Sequence, residues 1–304
     1  MLRKKGLAAA SNKSARRAAE GLVGLQRTNS NDVAIVEINS ETDFVARNEQ
    51  FQSLVSSAAT AVLNYNPPEV TLSRHSSRVK SFEVDASTLN ECSIVPGGPT
   101  LQEAVANLAG TVRENLRLRR AFRLAAHLKG SSPGVCGTYV HASVGSGLGR
   151  IAGAVLMRYE APDGQTNIKI LEDFSNKLAM HVVGAVPRYL DTSAVPDATL
   201  EAEKKVLREQ ASTSGKPANI VEKMVQGRLK KYYQEVCLVE QPYIHDDKIS
   251  VAEAIQQVQH LSGVSDLKVT GFVRVQVGEG LENEGADGAE AFAAEVAATL
   301  NQHS

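Results

Sequence analysis

The chain has 304 residues, 42% of them hydrophobic and 22% charged, with a formal net charge of −1 at pH 7, which describes a globular chain long enough for one large or two smaller cores and argues against a polyanion footprint over the whole surface. Only 5% of residues are aromatic and there is no Trp, so a base-stacking nucleic-acid platform is disfavoured. Cys92, Cys136 and Cys237 are far apart and read as separate reduced thiols rather than a disulfide or zinc framework, and no apolar run approaches the roughly 18 residues of a membrane span.

Residues 1–19 hold Arg3, Lys4, Lys5, Lys13, Arg16 and Arg17 with no acid, the composition of an organelle transit peptide. Residues 21–26 are apolar, 28–31 form a turn cluster and 33–38 alternate, which together predict a hairpin. Phe51, Leu54, Val55, Ala58, Ala59 and Val62 then follow a helical period, with Asn48 as the expected N-cap. The switch of period makes residues 40–48 a strand-to-helix corner that carries Asp43 beside Phe44. Phe44 lies seven residues before Phe51, so by pattern alone it belongs to the same apolar stripe and reads as core. Asn66, Pro67 and Pro68 break the helix. The region of about 66–99 is poorly patterned and reads as an insertion with at most short elements.

Residues 101–116 are helix-like, with Leu101, Val105, Leu108 and Val112 on one stripe. Arg117, Arg119 and Arg120 follow without aromatic or Gly-rich company and read as a solvated strand edge. Residues 137–141 and 150–159 are two strands. Gly145, Gly147 and Gly149 between them join strand to strand with no Lys-Ser/Thr after them, so they read as a flexible hairpin turn rather than a phosphate cradle. A helix with Leu171, Phe174, Leu178 and Val182 comes next and stops at Pro187. Hairpin then helix thus occurs twice, which suggests an internal duplication. Two charged amphipathic helices are expected at 200–212 and 220–234, the second with Ile220, Met224, Val225 and Leu229 as its packing stripe. The scattered serines, Asp43 and His141 form no recognisable catalytic set. His245 with Asp246 and Asp247 is too contiguous to face one metal from a single element.

Thr42, Asp43, Phe44, Val45 and Ala46, continuing into Arg47 and Asn48, resemble the T-D-F-V-A signature of the elongation factor Ts family, the guanine-nucleotide exchange factors of elongation factor Tu. Other stretches resemble the family in register. Glu114 to Arg120 is similar to its G-E-N-x-x-x-R-R run, and residues 214–228 (Ser-Gly-Lys-Pro through Gly227-Arg228) to its S-G-K-P-x-x-I-x-E-K-M-V-x-G-R run. Gln241, Pro242 and Tyr243, the strand at 269–280 and the helix around Phe292 follow. The resemblance covers about 2–66 and 100–304. One departure is Arg113, where the family usually has Gly.

What the resemblance implies is an α+β fold of two subdomains, each a small antiparallel sheet with packed helices, and a helical C-terminal module. Residues 1–20 would be the linker remnant of an N-terminal helical domain, most of which the chain would lack. Residues 21–135 would form the first subdomain, 136–280 the second with a short helical middle region at about 197–236, and 281–304 the C-terminal module. The expected partner is elongation factor Tu, GDP-bound and nucleotide-free, with no cofactor, no direct nucleic-acid contact and no membrane. Thr42, Asp43, Phe44, Val45, Val112, Arg113 and His141 align with the exchange contacts, and Phe292 and Val296 with a C-terminal contact. Phe44 would enter an apolar slot near the partner's switch region while Asp43 disturbs the magnesium site. A non-exchanging scaffold or chaperone of the same partner is the alternative role. The insertion and the short middle region look mitochondrial, with bacterial cytoplasm or plastid as alternatives.

Overall fold

The computed structural model describes residues 16–28, 32–65, 83–95, 97–126, 132–162, 166–212 and 218–281. The expected contacts Phe292 and Val296, most of the 1–20 linker and residues 66–82 of the insertion lie outside them.

Strands β1 (Glu20–Arg27) and β2 (Val33–Ser40) form the expected hairpin. A four-residue helix α1 (Asp43–Ala46) turns the corner, and α2 (Glu49–Asn64) follows at once. Asn48 is the N-cap of α2, its side chain accepting from the N–H groups of Gln50 and Phe51. The insertion holds β3 (Glu83–Val84) and α3 (Ala86–Glu91). Helix α4 (Leu101–Val112) starts with a capping box between Thr100 and Glu103. It stops earlier than the apolar period suggested, because Arg113 takes a left-handed conformation and Leu116 already begins β4 (Leu116–Leu124).

The second half repeats this order. Strands β5 (Gly134–His141), β6 (Leu148–Gly149) and β7 (Ile151–Glu160) precede α5 (Ile168–Ala185). The hairpin of α6 (Asp197–Ser212) and α7 (Ala218–Val236) packs on itself through Leu207, Val225 and Leu229. Of the four stripe residues expected on α7, Ile220 is exposed. The short pair β8 (Pro242–Tyr243) and β9 (Asp246–Ser250) leads to α8 (Val251–Ser262) and the long strand β10 (Ser265–Gln276). Helix α8 is not among the elements expected from the sequence, although Ser250 and Glu253 form a capping box and Val251, Ala254, Ile255 and Val258 follow a helical period.

The fold is α+β, built on two antiparallel sheets. The first has the order β3-β4-β2-β1-β6 and the second β10-β7-β5. The alternation of each strand decides the layering. Leu22, Ala34, Val36, Ile38 and Ala121 face α2 and α4, while Val23, Leu25, Val33, Ile35 and Phe122 face the other sheet. From the second sheet, Cys136, Ala152, Ala154, Leu156 and Val273 meet that face, and Val135, Val155 and Met157 turn to α5 and α8. Helices therefore cover the outside of a two-sheet sandwich. Every residue of β2 is buried as a result, because the strand is central and both its faces are covered. Phe51 of α2, fully buried, contributes roughly 2–3 kcal/mol of transfer free energy on its own.

Two expectations are corrected here. Gly145 to Gly149 is not a free turn: Leu148 and Gly149 pair with Gly24 and Val23 as the edge strand of the first sheet, and Leu25 N–H donates to the Gly147 carbonyl at 2.7 Å. The arginines of β4 are not a solvated edge. Glu37 is fully buried, and Arg119 and Arg120 point at it. The pairing of β2 with β4 steps from Glu37–Arg120 to Ile38–Leu118, so Arg119 is the extra residue of a bulge. A bulge sets two residues of one strand against one of its neighbour, which is how a single carboxylate receives both guanidinium groups.

Candidate functional site

One end of the first sheet gathers most of the expected contact residues. Strands β2 and β4 run antiparallel with Ser40 opposite Leu116, so the segment leaving β2 and the segment entering β4 lie side by side. The first carries Glu41, Thr42, Asp43 and Phe44. The second carries Val112, Arg113, Glu114 and Asn115. They are joined by crossed carboxylates. Thr42 N–H donates to Glu114 Oε2 at 3.0 Å and Thr42 Oγ1 donates to Glu114 Oε1 at 2.6 Å. In return, Asn115 N–H donates to Glu41 Oε1 at 2.6 Å.

Helix α1 sits on this base with its residues sorted by face. Val45 and Ala46 are buried in the helix-covered core of the first sheet. Phe44 is 76% exposed, the most exposed large apolar side chain among the described residues. The core position that periodicity alone gives Phe44 is thus not the one it takes. Residues Arg47 and Asn48 separate two helices, Asn48 being extended at φ −72°, ψ 129°, and the apolar stripe of α2 cannot continue backwards through them. Asp43 makes an exposed i,i+4 ion pair with Arg47 at 3.0 Å, a contact worth little to stability. Val112 is half-buried at the end of α4 and Arg113 is exposed beside it.

His141 is placed apart from this group. It ends β5, exposed, with its Nδ1 3.5 Å from the Tyr139 hydroxyl. Its carbonyl accepts from Arg150 N–H at 3.1 Å. The Arg150 guanidinium pairs with Glu20, and Glu20 lies opposite Ser40 in the first sheet. His141 is therefore tied to the same sheet end through Arg150 and Glu20 rather than touching the Thr42–Glu114 pair. Sequence reasoning did not single out Glu41, Glu114, Glu20 or Arg150; the run Glu114-Asn115 was legible as a motif but its carboxylate had no role assigned.

Burial sets the chemistry of the other reactive groups. Desolvation pushes the thiol of Cys136 up to about 12 and those of Cys92 and Cys237 up to about 11, so none is a thiolate near neutral pH. His181 is fully buried, and desolvation, with His245 nearby, holds its pKa below the ordinary value against the opposing bond to Gln241. Ile244 N–H donates to His181 Nδ1 at 3.3 Å, so Nε2 carries the proton and donates to Gln241 Oε1 at 2.9 Å. Among the described residues no group of three or more His, Cys, Asp and Glu side chains is arranged to hold a metal ion, and no helix is long and apolar enough to cross a membrane.

The fold and this face define a helix-covered two-sheet sandwich that holds one exposed aromatic side chain on a fixed corner at one end of its first sheet. A family model described as elongation factor TS matches residues 41–279. Elongation factor Ts of Paramagnetospirillum magneticum is 41% identical over 298 residues, 98% of this chain and 85% of its own. The mitochondrial elongation factor Ts of Ricinus communis is 40% identical over 297 residues, 97% of this chain and 76% of its own. That of Ostreococcus tauri, also mitochondrial, is 41% identical over 299 residues, 97% and 81% respectively. The chain belongs to the elongation factor Ts family and is by that membership a translation elongation factor.

Proposed function

We propose that the chain binds elongation factor Tu, in its GDP-bound and nucleotide-free states, and promotes release of GDP by inserting Phe44 near the magnesium and switch region with Asp43 beside it. The observation that carries this reading is the 76% exposure of Phe44 on a helix whose next two residues are buried in the core. A bulky apolar ring held in water by a fixed base has no stabilising role in the isolated chain, and it has the character of an interface anchor.

The mechanism is a difference in affinity. An exchanger need not touch the nucleotide; it must bind the nucleotide-free shape of its partner more tightly than the loaded one. By linkage, the factor by which it weakens GDP is the factor by which GDP weakens it. A single aromatic anchor in a pocket supplies roughly 2–4 kcal/mol of such coupling. Val112, Arg113 and His141 add contacts at the same sheet end, and Phe292 and Val296 a separate C-terminal one. Similarity to both bacterial and mitochondrial relatives is compatible with two compartments; we assign the chain to the mitochondrion on the insertion and the short α6–α7 hairpin.

The test is release of a fluorescent GDP from elongation factor Tu, with the parent chain and with Phe44→Ala. The parent accelerates release, and Phe44→Ala loses at least ~30-fold of that acceleration. Because Phe44 is exposed, the variant changes stability by less than about 0.5 kcal/mol, so the loss is read without a folding defect. Equal acceleration by both chains would move the exchange site away from Phe44. Partner binding with no acceleration by either would make the chain a scaffold or chaperone.

A further inference from the structure

We infer that Glu114 is a positioning residue for exchange, acting through Thr42, and that Thr42 aims the Asp43–Phe44 turn rather than touching the partner. The inference rests on the exchange reading above and deepens it.

Thr42 has two hydrogen-bond donors, and the Glu114 carboxylate takes both, the N–H at 3.0 Å and the hydroxyl at 2.6 Å. Its carbonyl accepts from Ser40 Oγ at 2.9 Å. Thr42 also occupies the N-cap position of α1, yet its side chain makes no cap hydrogen bond there. A Thr at an N-cap ordinarily accepts from the first turn of its own helix; here the hydroxyl is turned across the sheet end to a carboxylate 72 residues away. Four helical residues hold no fixed orientation by themselves. The direction of α1, and with it of Phe44, is set by two anchors: Val45 and Ala46 in the core, and Glu114 on the other side.

The reciprocal bond from Asn115 N–H to Glu41 at 2.6 Å makes the tie two-way, and Asn115 Nδ2 donates in turn to the Arg16 carbonyl at 2.8 Å. The bonds that end on the Glu41 and Glu114 carboxylates are charge-assisted, short and about twice as strong as neutral ones. They lock residues 41–44 and 112–115 together, so Phe44 and the Val112–Arg113 turn reach a partner as one surface. Ordering them beforehand holds Phe44 at the angle that the exchange step needs, so the tie is felt in the rate within the complex more than in the affinity.

The experiment measures GDP release from elongation factor Tu at saturating exchanger, with the full chain and with Thr42→Val, Thr42→Ser, Glu114→Gln, Glu114→Ala, Thr42→Val combined with Glu114→Ala, and Phe44→Ala. Thr42→Val and Glu114→Ala each lower the saturating rate by ~10-fold, the size expected for a lost bond to a charged group. The half-saturating concentration moves by less than about 3-fold. The double variant is no slower than Glu114→Ala, because Glu114→Ala already removes both bonds, including the hydroxyl bond that Thr42→Val removes. Thr42→Ser, which keeps the hydroxyl, recovers most of the rate, and Glu114→Gln, which keeps the volume and one acceptor, falls between parent and Glu114→Ala even where Glu114→Ala folds poorly. Multiplicative losses would mean that Thr42 acts on the partner by itself and would overturn the inference. Full rates in the Thr42 and Glu114 variants, with Phe44→Ala inactive, overturn it while leaving the exchange reading standing. A parent chain without acceleration overturns both.

Discussion

Arg113 ends α4 at φ 61°, ψ 24°, a left-handed conformation in which a side chain crowds the backbone at a cost of roughly 1–2 kcal/mol. The helix needs that conformation to stop, since the Arg113 N–H closes the last turn on the Ala109 carbonyl while the chain reverses into β4. Gly meets the same requirement without a Cβ, which gives a physical reason for the Gly that the resemblance leads one to expect at this position. Arg113→Gly is expected to raise stability by about 0.5–1 kcal/mol after the added entropy of the unfolded chain is discounted; a denaturant midpoint that stays or falls would show that Arg113 makes a compensating contact. A second single-residue effect comes from His181. Its folded pKa is depressed by burial, so the unfolded chain binds its proton first, at about pH 6.5. The stability due to neutral His181 is complete above that value and is lost as pH falls through it towards the folded pKa. Urea midpoints measured between about pH 7 and pH 5 should fall more steeply for the parent than for His181→Gln. Parallel slopes would place the acid sensitivity in the carboxylates instead. The comparison of slopes matters here rather than absolute stability, because the variant also disturbs the bonds to Gln241 and Ile244.

At the scale of elements, the two halves repeat one plan. A hairpin (β1–β2, then β5–β7) is followed by a long helix (α2, then α5). A helix opened by a capping box comes later (α4 from Thr100 and Glu103, α8 from Ser250 and Glu253), and a final strand pairs with the second strand of the hairpin (β4 on β2, β10 on β7). Arg113 and Gly263 close the two capped helices with nearly the same left-handed angles, φ 61° and 71°. The glycines repeat too: a Cβ on Gly24 would lie 2.8 Å from the Val55 carbonyl oxygen in α2, and one on Gly137 only 1.9 Å from the Ser175 carbonyl oxygen in α5. In both halves the helix rests directly on a strand backbone. The hairpin-then-helix half of this plan was legible in the sequence, because a change from period 2 to period 3.6 is a local signal. The capped helix α8 carries a signal just as local, its Ser250–Glu253 box, but its apolar period is short, with the four residues Val251, Ala254, Ile255 and Val258. The environment of Phe44 was legible from family resemblance and not from periodicity. A seven-residue spacing is blind to the helix break at Asn48, where one extended residue resets the phase. The Thr42–Glu114 and Glu41–Asn115 bonds were not legible at all: their partners are more than seventy residues apart, and only the pairing register of β2 with β4 brings them together.

For the whole molecule the consequential residue is Glu37, a carboxylate sealed between the two sheets. Its Oε1 accepts from Arg119 Nη1 at 3.1 Å, Asn39 Nδ2 at 3.0 Å and Gly278 N–H at 2.9 Å, and its Oε2 from Arg120 Nε at 2.6 Å. Strand β2, strand β4 and the chain leaving β10 thus meet on one group. Arg120 also donates to the Gln276 carbonyl at 3.3 Å, so the end of the last strand of the second sheet is held by charges that belong to the first. Apolar packing alone would let the two sheets slide on a face made of Val, Leu, Ile and Ala; hydrogen bonds with fixed directions set one register. Taking two guanidinium groups and a carboxylate out of water is costly, and the arrangement is stable only while Glu37 offsets the guanidinium charge, with Glu279 Oε2 4.0 Å from Arg120 Nη2 as a second, partly exposed carboxylate. Glu37→Gln keeps the shape and removes the charge. It should cost about 3–5 kcal/mol, the range for deleting one member of a buried ion pair, and it should do so unevenly. Amide hydrogen exchange ought to speed up most at Gly278 and along the end of β10, while α2 and α4, packed on the far face of the first sheet, keep their protection. A loss spread evenly over both sheets would mean that the carboxylate supports each sheet from within, and a loss below about 1 kcal/mol would mean that solvent reaches Arg119 and Arg120 once the charge is gone.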